Sequence, residues 1–202
     1  MIGKEEDKVK EAFCMNSNRR SIYRIAYVGV MAAVVCVSNF ISIPTAVSRL
    51  HVANAVCLLS GMLLGGVQGG LAAGLGSAAY DLLYPKYAAE AWITFINKGA
   101  MALVCGLIFY GVTHKQNVRV IRRYMAAVCG AALYIALYML KTYIQKRYVA
   151  GMPMETLAPI MLEKLGTSAI NGLFAVIVAP LLYRALYPAL EKAGLYRQID
   201  IK

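Results

Sequence analysis

Long apolar blocks separated by short polar segments run along this chain, and their lengths, more than any internal period, determine its class. After a polar stretch of mixed charge over residues 1–21, the first block extends from about Ile22 to Ile43. It ends at Pro44, in the turn-like stretch Ser42-Ile43-Pro44-Thr45. A bilayer core needs roughly 20 apolar residues per helix, so this block is one full span. The next apolar region, Val52 to Tyr84, is too long for one crossing: a single helix over it would reach about 50 Å at 1.5 Å per residue. Gly65-Gly66-Val67-Gln68-Gly69-Gly70 near its middle supplies a turn, which predicts a tight helical hairpin, spans two and three. Span four is expected over about Ala89 to Gly111, span five over Tyr124 to Tyr143, and span six over Ser168 to Tyr187 with a helical lead-in from Glu155. The expected fold is all-α, a polytopic membrane protein built as a bundle of six transmembrane helices. Residues 1–21 form an N-terminal tail, 22–187 the six-helix transmembrane domain and 188–202 a C-terminal tail.

Composition supports the membrane assignment. Of 202 residues, 60% are hydrophobic and only 15% charged, more apolar material than a soluble domain of this size buries. The net charge of +11 does not indicate nucleic-acid binding, because the basic residues flank the apolar blocks and no basic surface is interleaved with stacking aromatics. Lys4, Lys8, Lys10, Arg19, Arg20 and Arg24 precede or open span one. Lys115, Arg119, Arg122 and Arg123 follow span four, and Arg184, Lys192, Arg197 and Lys202 lie in or after span six. An even number of spans puts all three groups on one side, so both termini are expected in the cytoplasm, the chain being a multi-pass membrane protein. Fewer cations (Arg49, Lys86, Lys141, Lys146, Arg147 and Lys164) fall opposite. The five cysteines are scattered and mostly within apolar blocks, suggesting neither a disulfide framework nor a metal site. The first apolar block lacks a small-residue cleavage motif, and no removable signal peptide is expected.

Small residues gather in two spans. Gly69, Gly70, Ala73, Gly74, Gly76, Ser77 and Ala78 leave span three nearly bare, which suits close internal packing. In span one, Gly29 and Ala33 are four apart, as are Ala32 and Cys36; this stripe suits either internal packing or a partner subunit.

Polar residues inside the spans carry the functional reading, since ionisable groups there are costly and turn to a cavity or a partner. Glu90, Thr94, Asn97 and Lys98 share one face of span four by helical spacing. Ser77, Asp81 and Tyr84 align on span three, Tyr134, Tyr138 and Lys141 on span five, and Glu163, Thr167 and Asn171 on the approach to span six. All four stripes converge on the non-cytoplasmic half. They predict a cup for a small planar polar solute, with Trp92 and Phe95 adding rings nearby. The plainer alternative is that Lys98 neutralises Asp81 or Glu163 between helices while the tyrosines form an interfacial belt. The segment Thr45 to Asn54, with Arg49, His51 and Asn54, would lie over the mouth as a lid.

No G-x-x-x-x-G-K-[ST] phosphate loop is present, Gly74-Leu75-Gly76 follows no strand, and two histidines, His51 and His114, on expected opposite faces support neither a metal site nor a Ser-His pair. No enzyme signature remains, and no cofactor is implied.

The run from Asn54 to Leu83, with Gly61-Met62-Leu63-Leu64-Gly65-Gly66-Val67-Gln68-Gly69-Gly70 at its centre, is followed by Tyr87-Ala88-Ala89 and Thr94-Phe95-Ile96-Asn97-Lys98-Gly99. It resembles the S components of energy-coupling factor (ECF) transporters, in particular the branch for riboflavin-type uptake that includes pyridoxine-like and hydroxymethylpyrimidine-like members. The likeness covers roughly residues 22–112. It implies a six-helix bundle that binds one vitamin near its outer face, with a transmembrane coupling subunit and two cytoplasmic ATPase subunits as partners. It also implies tipping within the membrane as the delivery step. Gly29-x-x-x-Ala33 and Ala32-x-x-x-Cys36 stand where the family carries its small-residue docking pattern, though neither is its usual Ala-x-x-x-Ala. Ala53-Asn54 stands where many relatives have a glycine followed by an acid, which implies a different ligand contact there.

The expected function is thus vitamin capture for an ATP-driven importer. Lys98, Asn97 and Glu90 would set ligand polarity, Asp81 and Glu163 would balance Lys98 or take a ligand donor, and Trp92 or Tyr138 would stack on a ring. Asn54, Tyr84, Thr94, Lys141 and Asn171 complete the expected substrate site, Arg49 and His51 the lid, and Gly29, Ala32, Ala33 and Cys36 the partner surface. The rivals are a stand-alone proton-coupled carrier using Asp81, Glu90 or Glu163, and a membrane scaffold subunit with no ligand.

Overall fold

The computed structural model describes residues 2–44, 49–111 and 119–194. Helix α1 (Ile2–Phe40) is followed by two short antiparallel strands, β1 (Ser42–Pro44) and β2 (Arg49–His51). Then come α2 (Ala53–Leu64), α3 (Gly66–Leu83), the single turn α4 (Pro85–Ala88), α5 (Ala91–Tyr110), α6 (Val120–Ile144), a π-helical turn at Gln145–Val149, and α7 (Met154–Lys192). Six of the helices build the bundle. Ser21–Phe40, Ala91–Tyr110, Val120–Val149 and Met154–Lys192 are long and apolar enough to cross a membrane by length and composition.

Several expected boundaries move. The polar residues before Ile22 continue α1 as helix, and the stretch Ser42-Ile43-Pro44, expected as a turn, is a strand paired to β2 in register Ser42↔His51. Residues 45–48 of the expected lid, along with Lys115, Arg197, Lys202 and His114, lie outside the described residues. Span six and its lead-in are one helix of 39 residues that carries Pro159, Pro180 and Pro188 internally.

The largest departure is α2. At 12 residues it measures about 18 Å, short of a bilayer core of about 30 Å, and every one of its residues is buried. A helix apolar all round has no face to offer water, and here the bundle itself surrounds it. Its end still needs hydrogen-bond partners. Tyr110 donates its hydroxyl to Met62 O at 2.8 Å, and Ser60 donates to Gly69 O at 2.9 Å across the turn into α3. The turn pivots on Gly65, whose φ of 86° is a backbone conformation glycine adopts without side-chain strain.

Backbones approach closely around this core. A Cβ on Gly61 would lie 2.3 Å from Ala102 O, one on Gly74 2.9 Å from Phe95, and one on Gly76 2.2 Å from Ala32 O. The bare face of α3 is therefore internal packing, pressed onto α5 and α1. These contacts also give the helix directions: α1, α3 and α6 rise towards the β hairpin, while α2, α5 and α7 descend from it. At the far end Arg123 sits 5.3 Å over the Tyr183 ring, and Arg122 Nε donates to Ile108 O at 2.7 Å. Arg122 and Arg123 at the start of α6 and Arg184 towards the end of α7 thus share the end opposite the hairpin, the end from which α1 rises.

Candidate functional site

Beneath the hairpin, α2, α3, α5, α6 and α7 bring most of the expected polar stripes together. Lys98 lies seven residues into α5, about 10 Å along the helix, and is only 4% exposed. Its Nζ donates to Asn54 Oδ1 on α2 and stands 4.9 Å over the Tyr134 ring of α6. Asn97 is buried beside it, and Ser77 on α3 is buried with its Oγ 3.8 Å from Cys57 Sγ. Asp81, half-buried on the same face of α3, has the Thr94 hydroxyl within hydrogen-bonding reach and Lys98 and Lys141 within Coulombic range.

Closer to the hairpin, Glu90 precedes α5 and pairs with Lys141 of α6, and Gln145 Nε2 donates to Glu90 Oε1 at 2.6 Å. Gln145 opens the π-helical turn. This network ties the mouth end of α5 to that of α6. On α7, Lys164 Nζ donates to the Tyr138 hydroxyl at 3.1 Å and lies 5.4 Å from that ring's centroid, and Tyr138 stacks on Tyr134 with centroids 6.0 Å apart.

Three expected site residues stand elsewhere. Trp92 is 65% exposed: six residues from Lys98, it sits about a third of a turn away around α5, on the side that faces outward. Glu163 is exposed, and its carbonyl is bonded within the helix by Thr167 Oγ1 at 3.0 Å. The inward stripe of α7 is Lys164, Ser168 and Asn171 instead, one residue on from the expected start. Tyr84 ends α3 in an extended conformation and joins Phe40 and Tyr80 in an aromatic cluster at the α1/α3 seam. The expected site gives Lys164 and Cys57 no place and gives Tyr134 a place in its stripe without a role. The signal for Lys164 was its spacing of four to Ser168 and seven to Asn171.

The hairpin is anchored to the bundle. His51 N donates to Asn171 Oδ1 at 3.1 Å, joining an expected lid residue to an expected substrate residue. Arg49 falls in β2, but its side chain is outside the described residues. If this bond holds the lid closed, Asn171→Leu should speed ligand release about 2- to 10-fold, the worth of one hydrogen bond. A filter-retention time course would read it, and an unchanged release rate would remove the anchor.

On α1 the small-residue stripe divides. Gly29 and Ala33 are exposed, and a Cβ on Gly29 would meet nothing within 4 Å. Ala32 instead faces inward, its carbonyl against Gly76, and Cys36 is half-buried. The Ala32 backbone thus packs on α3, and Gly29 and Ala33 are the open part of the expected partner surface.

Comparison with known proteins bears on this arrangement. The family model described as "ECF-type riboflavin transporter, S component" matches residues 19–188. A solved structure described as the S component of a bacterial ECF transporter superimposes with a TM-score of 0.61 at 18% identity, covering 86% of this chain and 98% of that one. The likeness shows a common fold. No curated protein matches the chain.

Proposed function

Starting from the fact that this chain belongs to the family of ECF-type riboflavin transporter S components, we propose that it captures a B-vitamin or vitamin precursor, of flavin, pyridoxine or pyrimidine type, at the outer face of a bacterial plasma membrane. It is an integral membrane protein and the substrate-binding subunit of an ECF transporter. The proposal adds the substrate class, the orientation and the delivery step. In it, both termini are cytoplasmic, residues 22–187 form the substrate domain between two tails, and the loaded subunit tips against a coupling subunit driven by two ATPase subunits.

One observation carries the reading: Lys98, Asn54 and Tyr134 form a buried polar cluster beneath the hairpin, at the end of the bundle away from its basic termini. Polar groups at that depth require partners, and positive residues mark the cytoplasmic side. Of the three acids a proton-coupled carrier would use, Glu90 is bound by Lys141 and Gln145 and Glu163 is exposed, which leaves it Asp81. Uptake of radiolabelled riboflavin, pyridoxine or hydroxymethylpyrimidine, or of whichever carboxylate or phosphate form is taken up by cells with the ATPase subunits, decides between them in cells lacking those subunits: it disappears under this proposal, and persistence would establish the carrier.

Docking has its own test. Because Gly29 opens onto free space, Gly29→Leu should leave thermal stability unchanged yet prevent co-purification with the coupling subunit. Retained co-purification would move the interface off this face of α1.

A further inference from the structure

The partners of Lys98 are neutral. Its ammonium has three N–H donors, and the groups in contact with it are the Asn54 amide oxygen and the face of Tyr134. No described carboxylate stands within ion-pair distance, and Asp81 acts only at longer Coulombic range, with Thr94 in reach of its own carboxylate.

Asn54 adds a second donor. An ammonium can only donate, so Asn54 must turn Oδ1 towards Lys98, which directs Nδ2 away from it. That Nδ2 is buried without an acceptor, in a residue 1% exposed. Two donors, one of them charged, therefore sit side by side at the base of the cluster with capacity to spare. Buried donors of this kind are satisfied in nearly all folded proteins, and a charged one calls for a charge in return. A second ammonium, Lys164, stands over Tyr138 at the other end of the tyrosine stack, also with no described carboxylate in ion-pair range. Lys141 differs, being neutralised by Glu90.

We infer that the substrate is an anion. Its carboxylate or phosphate accepts hydrogen bonds from Lys98 Nζ and Asn54 Nδ2, and the rest of the molecule lies along Tyr134 and Tyr138 towards Lys164. This rests on the S-component reading and narrows the substrate class to acid-bearing forms. A wholly neutral solute would leave the Lys98 charge, on a side chain only 4% exposed, without a counter-charge. An acid group supplies both the charge and the acceptor atoms.

The test uses the full chain in lipid nanodiscs and pairs of probes that differ only in the acid group: nicotinate with nicotinamide, 4-pyridoxate with pyridoxine, pyridoxal phosphate with pyridoxal, and FMN with riboflavin. Thermal shift and calorimetric titration should find at least one acid that binds about 100-fold more tightly than its neutral twin, as loss of a buried charged contact implies. The carboxylate and phosphate pairs report which group is read. In Lys98→Met, folded as judged by its own unfolding transition, the preference should shrink to about threefold or less. Asn54→Leu should weaken the acid by a larger factor than it weakens the neutral twin, because only the acid loses an acceptor contact to Nδ2. Equal or tighter binding of a neutral twin, no binding of any acid, or an undiminished preference in Lys98→Met would each overturn the inference. Assembly with the coupling and ATPase subunits is measured separately by co-purification. Intact assembly without acid preference refutes the anion alone, and failure to assemble refutes the S-component reading.

Discussion

Gly61→Leu should unfold or loosen the bundle at temperatures where the native protein is intact. The Cβ would lie 2.3 Å from Ala102 O, 3.1 Å from Ala102 C and 3.2 Å from Gly106 N. All three are backbone atoms of α5, so no side chain can rotate aside and the two helices must separate. Overpacking in well-packed cores costs about 1–3 kcal/mol, and a clash with rigid backbone belongs at or above the upper end. With roughly 2–4 °C per kcal/mol for a chain of this size, the melting temperature should fall by about 6–12 °C or more. Binding should weaken in step, because α2 carries Asn54 and α5 carries Lys98, and parting them breaks the hydrogen bond at the base of the site. Differential scanning fluorimetry of Gly61→Leu beside Gly29→Leu provides the comparison, since Gly29 has open space. Equal melting temperatures for the two variants would contradict the packing described for α2 and α5.

Lys98→Ala should give a folded protein that no longer retains its ligand. A hydrogen bond to a charged group contributes about 1.5–3 kcal/mol, and truncating one partner of a buried charged contact costs about 2–5 kcal/mol. Affinity should therefore drop about 100-fold or more. The fold should tolerate the change, because removing an ammonium surrounded by neutral partners relieves a desolvation cost that offsets the lost packing of its stem. Mass spectrometry of small molecules co-purified with the native protein and the variant, together with size-exclusion profiles, reads both halves. Unchanged affinity would remove Lys98 from the site, and an aggregated variant that Lys98→Met rescues would assign it a packing role.

How much of the site the sequence revealed depended on how firmly each helix's orientation follows from local spacing. Glu90, Thr94, Asn97 and Lys98 were read together and are found together in orientation, because α5 is apolar on its remaining faces and only one rotation buries the polar stripe. On α7 the same logic began one residue early: Glu163 and Lys164 are both ionisable, both near the start of the apolar run, and spacing alone does not rank them. Packing against α6 does, since Gly172 sits beside Ile135 and Ala131 and thereby turns Lys164 onto Tyr138. Trp92 drew attention as an aromatic near polar residues, yet its angular offset from Lys98 places it outward.

Block length, the placement of basic residues and the glycine runs determined by themselves that this chain is a six-helix membrane bundle with a polar end and a basic end, because lipid permits few arrangements of apolar segments and charge. Only the tertiary structure decided that α2 is a short, wholly buried helix, that Ser42–Pro44 and Arg49–His51 pair as antiparallel strands with His51 bonded to Asn171, and that Lys98 rests on neutral Asn54 and Tyr134 rather than on an acid. Those outcomes depend on which helix faces meet at contact distance. That is a property of residues far apart in the chain, and local periodicity carries no record of it.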